Sequence, residues 1–180
     1  WKEASIQFSV RMRGKENFSV QLQSPGLHMI QNALAAIAVA RIYNISPAKI
    51  QRALRKFRTV GARFAIQKRK GLLVIRDEYN ANPDSMRYAL ETLALLGKSL
   101  KRPTIAVLGD MLELGKFSQK YHRDVGRQMQ RLGIDRIIAL GNLSREYVRS
   151  FNSDRVAVHV ANDKAAARAL QKAIRSLNAH

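Results

Sequence analysis

The 180 residues contain no cysteine, and only 13 acidic residues stand against 32 lysines and arginines. Without cysteine these residues form no disulfide, no thiolate metal site and no cysteine nucleophile, which fits a reducing compartment. No apolar run reaches membrane-spanning length, and the first residues carry no charged-then-apolar signal segment. The expectation is a soluble, cytoplasmic protein with no membrane partner. No serine or histidine sits in a recognisable nucleophile motif, and no glycine-rich phosphate cradle occurs. Gly109-Asp110 lacks the glycines, lysine and threonine that would have to follow. Zinc-finger spacing, internal repeats and low-complexity segments are absent as well. By its own residues the chain can help to hold a nucleotide, but it has no means of activating a phosphate.

What is present suffices for a folded core, since 46% of the residues are hydrophobic. The length fits one ordinary domain, or one domain with part of another. The net charge of +19 is dispersed. Arg11, Arg13, Lys15, Arg52, Arg55, Lys68, Lys70, Arg123 and Arg131 fall in every part of the chain, and no block of five occurs. Such a field suits either a solvated basic surface or a nucleic-acid or acidic partner.

Along the chain, Ile6, Phe8 and Val10, then Phe18, Val20 and Leu22, alternate around the polar turn Gly14-Lys15-Glu16-Asn17, which predicts a β-hairpin. Trp1 lies so close to this hairpin that the chain is expected to be cut or trimmed at its amino end. Ile30 to Ile42 reads as a near-continuous apolar helix in which a buried Asn32 would need amide partners. His28, four residues before Asn32, shares its face if the helix begins early. A second helix runs from Ser46-Pro47 to Phe57. Phe64 to Gln67 is a short strand, and Lys68-Arg69-Lys70-Gly71 is a basic turn. Beyond it, strands at Leu72–Ile75, Thr104–Leu108, Arg136–Leu140 and Val156–Val160 alternate with helices after Asn82, around 117–132, at Leu143–Arg149 and after Asn162. That order predicts an α/β fold with a mostly parallel sheet. The chain divides near residue 59.

The stretch from Arg76 to Met86 organises the second part. Asn82 can cap a helix, Pro83 suits its first position, and Asp84 follows where the dipole favours an anion. Polar side chains between a strand's carboxyl end and a helix serve equally as a well-capped turn and as a ligand loop. Asp77, Glu78, Asp84, Asp110 and Glu113 all stand beside strand ends. There they could bind Mg²⁺ through water, orient a ribose or receive an amine.

Three motifs carry a resemblance. Leu27-His28-Met29-Ile30-Gln31-Asn32-Ala33-Leu34-Ala35-Ala36, Asp77-Glu78-Tyr79-Asn80-Ala81-Asn82-Pro83-Asp84-Ser85-Met86 and Val107-Leu108-Gly109-Asp110-Met111-Leu112-Glu113-Leu114-Gly115 resemble segments of the Mur ligase family. The last two are similar to the branch that adds D-alanyl-D-alanine, and Tyr121-His122-Arg123-Asp124-Val125-Gly126 is similar to that branch's following helix. The resemblance implies a C-terminal Rossmann-like domain over residues 60–180, preceded by the tail of the central ATP-binding domain over 1–59. It implies an ATP- and Mg²⁺-dependent ligase of peptidoglycan synthesis, joining D-alanyl-D-alanine to UDP-N-acetylmuramoyl-tripeptide through an acyl phosphate. In that frame Asn32 contacts adenine, Arg63 the ATP phosphates or ribose, and Asp77 the ribose. Tyr79, Asn80 and Asn82 line the cleft near the reacting groups. Asp110, Glu113 and His122 are expected to brace their loop more than to touch substrate.

The departures from the pattern are specific. Met29 stands where the family has an asparagine facing nucleotide, Arg76 replaces the first of two aspartates, and Glu78 replaces a serine. The phosphate loop, the UDP-binding domain and a late Lys-Gly-Ser-Arg segment lie outside this sequence, so these residues alone are expected not to turn over ATP. The other reading is a family-derived binding module with a basic surface.

Overall fold

The alternating apolar residues of the first segment pair as the pattern requires. In the computed structural model, β1 (Ile6–Val10) and β2 (Phe18–Leu22) run antiparallel, with Phe8 opposite Val20 and Val10 opposite Phe18. The structure describes residues 5–13, 17–24, 26, 28–59, 61, 63–151 and 156–177. The expected turn at 14–16 lies outside them. Val10, Val20 and Leu22 form one core with Met29, Ala33 and Ile37 of α1 (His28–Ile42) and Ile50 of α2 (Pro47–Lys56).

α1 corrects two expectations. It starts at His28, early enough to place His28 and Asn32 one turn apart. It is also not interior all round: the buried residues recur every four positions, while Leu34, Val39 and Ile42 are 42%, 55% and 77% exposed. A helix laid on a two-stranded hairpin has only one stripe to bury. Asn32 falls on the exposed side, so its amide has no burial cost to offset. Ser46 stands at the start of α2, but its hydroxyl makes no capping bond, and Pro47 with its preset φ begins the helix.

β3 (Ala65–Arg69) and β4 (Leu72–Arg76) form a second antiparallel pair, joined by Lys70 and Gly71 at φ 47° and 81°. Two successive left-handed residues give the turn whose twist matches a hairpin. The apolar run of β4 was expected to be a buried strand. Among the described residues it instead pairs only with β3 in its own two-stranded sheet and is half-buried, because a short branched run fits an interior strand and a covered hairpin alike.

The parallel sheet has the order β5 (Ile105–Leu108), β6 (Arg136–Leu140), β7 (Val156–Val160). The helices that accompany it are α3 (Pro83–Leu100), α4 (Ser118–Leu132), α5 (Arg145–Ser150) and α6 (Asp163–Leu177). Met86 and Leu90 of α3, Val125 and Met129 of α4 and Ile137 of β6 share one core, while Ala166 and Ala173 of α6 pack with Ile138 and Val160 in another. Burying each of the larger side chains contributes about 1.5–3 kcal/mol. α4 and α5 approach so closely that a Cβ at Gly126 would run into the Tyr147 carbonyl and the Ser150 hydroxyl.

α3 begins as its sequence dictates. The Asn82 side chain accepts from the Ser85 amide at 2.9 Å, the Ser85 hydroxyl accepts from the Asn82 amide at 3.1 Å, and Pro83 follows the cap. A reciprocal cap of this kind is worth about 1 kcal/mol. The chain forms two compact units, Trp1–Tyr79 and Asn80–His180. Among the described residues no helix is long and apolar enough to cross a membrane.

Candidate functional site

In the first unit, the crossing segment before β3 folds back on the end of β4. Phe64 takes a left-handed φ of 54° and is 3% exposed, and its amide donates to Asp77 Oδ1 at 2.9 Å. Left-handed backbone costs a bulky residue about 1–2 kcal/mol, which the buried ring and the charged acceptor offset. The His28 ring meets the Phe64 ring edge-on, with centroids 5.1 Å apart. Burial raises the Asp77 pKa, opposed by the Phe64 amide and by His28. Burial likewise lowers the His28 pKa, opposed by Asp77. Asp77 is therefore a half-buried carboxylate with Oδ1 engaged, and among the described residues Oδ2 has no hydrogen-bond partner.

The Arg63 guanidinium lies 4.0 Å from the centroid of the Tyr79 ring. Arg63 is exposed and Tyr79 is 68% exposed, so the pair is worth about 0.5–1 kcal/mol and presents a cation on an aromatic plate. Asn32 is one turn beyond His28 on α1 and exposed; among the described residues its amide reaches only the Met29 sulfur, at 4.0 Å. Four expected site residues thus fall in this unit. Arg63 stacks on Tyr79, Asp77 is tied to Phe64 and His28, and Asn32 follows His28 on its helix. Asn80 and Asn82 belong to the second unit, and both carbonyl oxygens are used locally. Asn80 Oδ1 accepts from the Ala81 amide at 2.9 Å, and Asn82 caps α3. Their NH₂ groups remain available as donors.

His28 and Phe64 were not among the expected site residues. Its four-residue spacing from Asn32 and its place in the first motif were the sequence signals for His28; nothing in the sequence announced the left-handed Phe64. Met29 corrects another expectation. It is 9% exposed and packs inward with Ala33 and Ile37, so this position faces the core rather than a ligand. Arg76 and Glu78 form an ion pair with each other, which holds the Glu78 pKa down.

The carboxyl end of β5 is held by a separate network in the second unit. Asp110 Oδ1 accepts from the amides of Leu143 (3.1 Å) and Ser144 (2.6 Å). Gly141, at φ 118°, leaves room for this: a Cβ there would sit 2.5 Å from Asp110 Oδ1. The Met111 amide donates to His122 Nε2 at 3.1 Å, so Nδ1 carries the proton and donates to the Ser118 carbonyl at 2.7 Å. His122 stacks on the fully buried Tyr147, whose hydroxyl donates to the Gly109 carbonyl at 3.0 Å. Burial, then the Asp110 charge, pushes the Tyr147 pKa up. Asp110 and His122 brace the loop. Among the described residues no three histidine, aspartate or glutamate side chains gather as a metal-binding group.

Comparison with known proteins decides the lineage. Residues 62–178 match the family model described as Mur ligase, glutamate ligase domain. The chain belongs to the Mur ligase family. It is similar to the UDP-N-acetylmuramoyl-tripeptide–D-alanyl-D-alanine ligase of Bacillus subtilis, 36% identical over 137 residues, covering 73% of this chain and 29% of that protein. The enzyme of the same name from Escherichia coli is 37% identical over 126 residues, covering 69% of this chain and 27% of that protein. The MurF structure from Acinetobacter baumannii superposes with a TM-score of 0.83 at 28% identity, over 97% of this chain and 37% of that one. A MurF ligase from Thermotoga maritima, solved in complex with ADP, shares the fold with a TM-score of 0.70 at 23% identity, over 94% of this chain and 40% of that one. The chain thus spans about a third of the length of these Mur ligases. As expected from the alternation of strands and helices, the Mur ligase domain is α/β with a parallel sheet.

Proposed function

We propose that these residues are the ATP-side portion of a cytoplasmic ligase of peptidoglycan synthesis, which joins D-alanyl-D-alanine to UDP-N-acetylmuramoyl-tripeptide. The observation that carries this reading is the cluster around Asp77: a half-buried carboxylate with one oxygen committed to Phe64 and the other without a partner among the described residues, in the same compact unit as Arg63 on Tyr79 and the exposed Asn32. In this reading Asp77 Oδ2 accepts a ribose hydroxyl, Arg63 faces phosphate, and the Asn32 amide meets adenine. Tyr79, Asn80 and Asn82 lie toward the incoming amine and the acyl phosphate, with the two asparagine NH₂ groups as donors. Residues 1–59 are then the end of the central domain and 60–180 the C-terminal domain.

ATP supplies the phosphoryl group that turns a carboxylate into a reactive acyl phosphate, with Mg²⁺ screening the phosphate charge. The test is ligation by the full-length protein containing these residues. Release of phosphate from ATP should require both the UDP-linked tripeptide and D-alanyl-D-alanine, and the product should gain the mass of the dipeptide less water. Turnover independent of either substrate would overturn the reading.

A second reading, a basic module for nucleic acid or an acidic protein, is favoured by one observation. Lys164, Arg168, Lys172 and Arg175 form an exposed row along α6. Polyanion binding weakens steeply between low and physiological salt, whereas saturable ATP binding at a built site does not.

A further inference from the structure

The braces at the end of β5 hold more than they need for themselves. Gly109 is tied to Tyr147, Asp110 to Leu143 and Ser144, and Met111 to His122. The Met111 side chain is 0% exposed, and Leu114 packs against the same core. Between these anchors only Leu112 and Glu113 stand out. Leu112 is 69% exposed, and Glu113 is exposed on a left-handed φ of 61°. The Glu113 carboxylate has no hydrogen-bond or ion-pair partner among the described residues. That is unusual for an acid in a chain of net charge +19. A glycine would take this conformation without strain, so the backbone accepts a cost to keep this side chain in place. Costs of this kind persist where the surroundings over-determine a residue, and they concentrate at binding sites.

We propose that Leu112 and Glu113 are a recognition pair for the incoming amino-terminal dipeptide. Glu113 receives its ammonium group, and Leu112 covers the adjoining methyl side chain. The proposal rests on the ligase reading and names the residues that select the nucleophile. The pair is short, rigidly anchored on both sides and located at the carboxyl end of a parallel strand, where ligands of α/β folds bind. A carboxylate beside an apolar side chain matches the head of an alanyl peptide: a cation next to a small apolar group. A fixed carboxylate also gains more per contact than a mobile one, because its ordering cost is met by the fold before the ligand arrives.

The experiment compares wild type with Glu113→Gln and Glu113→Gly in the full-length protein containing these residues. KM for D-alanyl-D-alanine, KM for ATP and Tm are read for each. Loss of a charge-assisted hydrogen bond should raise the dipeptide KM by about 10-fold or more in both variants. The ATP KM should stay within 2-fold. Glu113→Gly should in addition raise Tm by relieving the left-handed strain, so that stability and affinity move in opposite directions. A purely structural residue would give the Tm gain with no change in the dipeptide KM, and that result would overturn the proposal. An unchanged KM in Glu113→Gln overturns it as well. A wild-type protein that ligates no amine at all removes the ligase reading instead, and this inference with it.

Discussion

Replacing Asp110 with alanine removes the acceptor for two amides at once. Leu143 lies 3.1 and 3.2 Å from the two carboxylate oxygens, and Ser144 lies 2.6 Å from Oδ1. Hydrogen bonds to a charged group contribute about 1.5–3 kcal/mol each, so the two amides set a ceiling of roughly 3–6 kcal/mol. Asp110 is only half-buried, and water can replace part of what is lost, which brings the expectation to about 2–4 kcal/mol. For a chain of this size that corresponds to a fall in Tm of roughly 5–15 °C. The assay is urea unfolding followed by far-UV circular dichroism. Asp110→Asn keeps one acceptor oxygen and should lose about half as much. If Asp110→Ala unfolds within about 0.5 kcal/mol of wild type, the carboxylate is not the brace described, and the rigid presentation of Leu112 and Glu113 loses its foundation.

Gly126→Ala should destabilise by about 1–3 kcal/mol, because the new Cβ meets the Tyr147 backbone and α5 must shift; calorimetry reads the loss. The ring of His28 should titrate below its ordinary value of 6.5, and Asp77→Asn should lower it further by removing the charge that opposes burial. An NMR titration of the ring protons checks both, and an upward move in the variant would refute the pairing. The consequence for stability has a definite sign. The unfolded chain takes up a proton at His28 near pH 6.5 and the folded chain only below it, so acidification through that window costs stability and rising pH restores it. Asp77 acts in the opposite sense: its raised pKa makes the folded chain hold the proton longer, so stability falls as pH climbs from 3.8 to the raised value.

Much of this was written locally in the chain. Asn82, Pro83 and Ser85 announce a helix start by chemistry confined to four residues, and the structure builds that cap. The hairpin at Lys70-Gly71 and the alternation of β1 and β2 are local in the same way. What could not be read depends on residues far apart in sequence. The half-buried setting of β4, the outward side of α1 and the inward turn of Met29 follow from which surfaces happen to meet, and an apolar run has no mark for that. The candidate site divides along the same line. Asp77, Arg63, Tyr79 and Asn32 were singled out through motif resemblance. Of the two groups that hold Asp77 in place, His28 had a sequence signal in its spacing from Asn32, whereas the left-handed Phe64 came from tertiary contact alone. Asp110, Glu113 and His122 were expected to brace their loop; Asp110 and His122 do, through partners at Leu143, Ser144 and Tyr147 that emerge only in three dimensions, whereas Glu113 makes no such bond among the described residues.

The central claim, that the Asp77 cluster is the nucleotide side of a ligase, is tested most directly by ATP affinity in the full-length protein containing these residues. Wild type and Asp77→Ala are compared at low and at physiological salt. Wild type should bind ATP saturably with little change on adding salt, and Asp77→Ala should weaken that binding about 10-fold or more with the fold intact by circular dichroism. Binding unaffected by Asp77→Ala, or binding that collapses with salt, would contradict it.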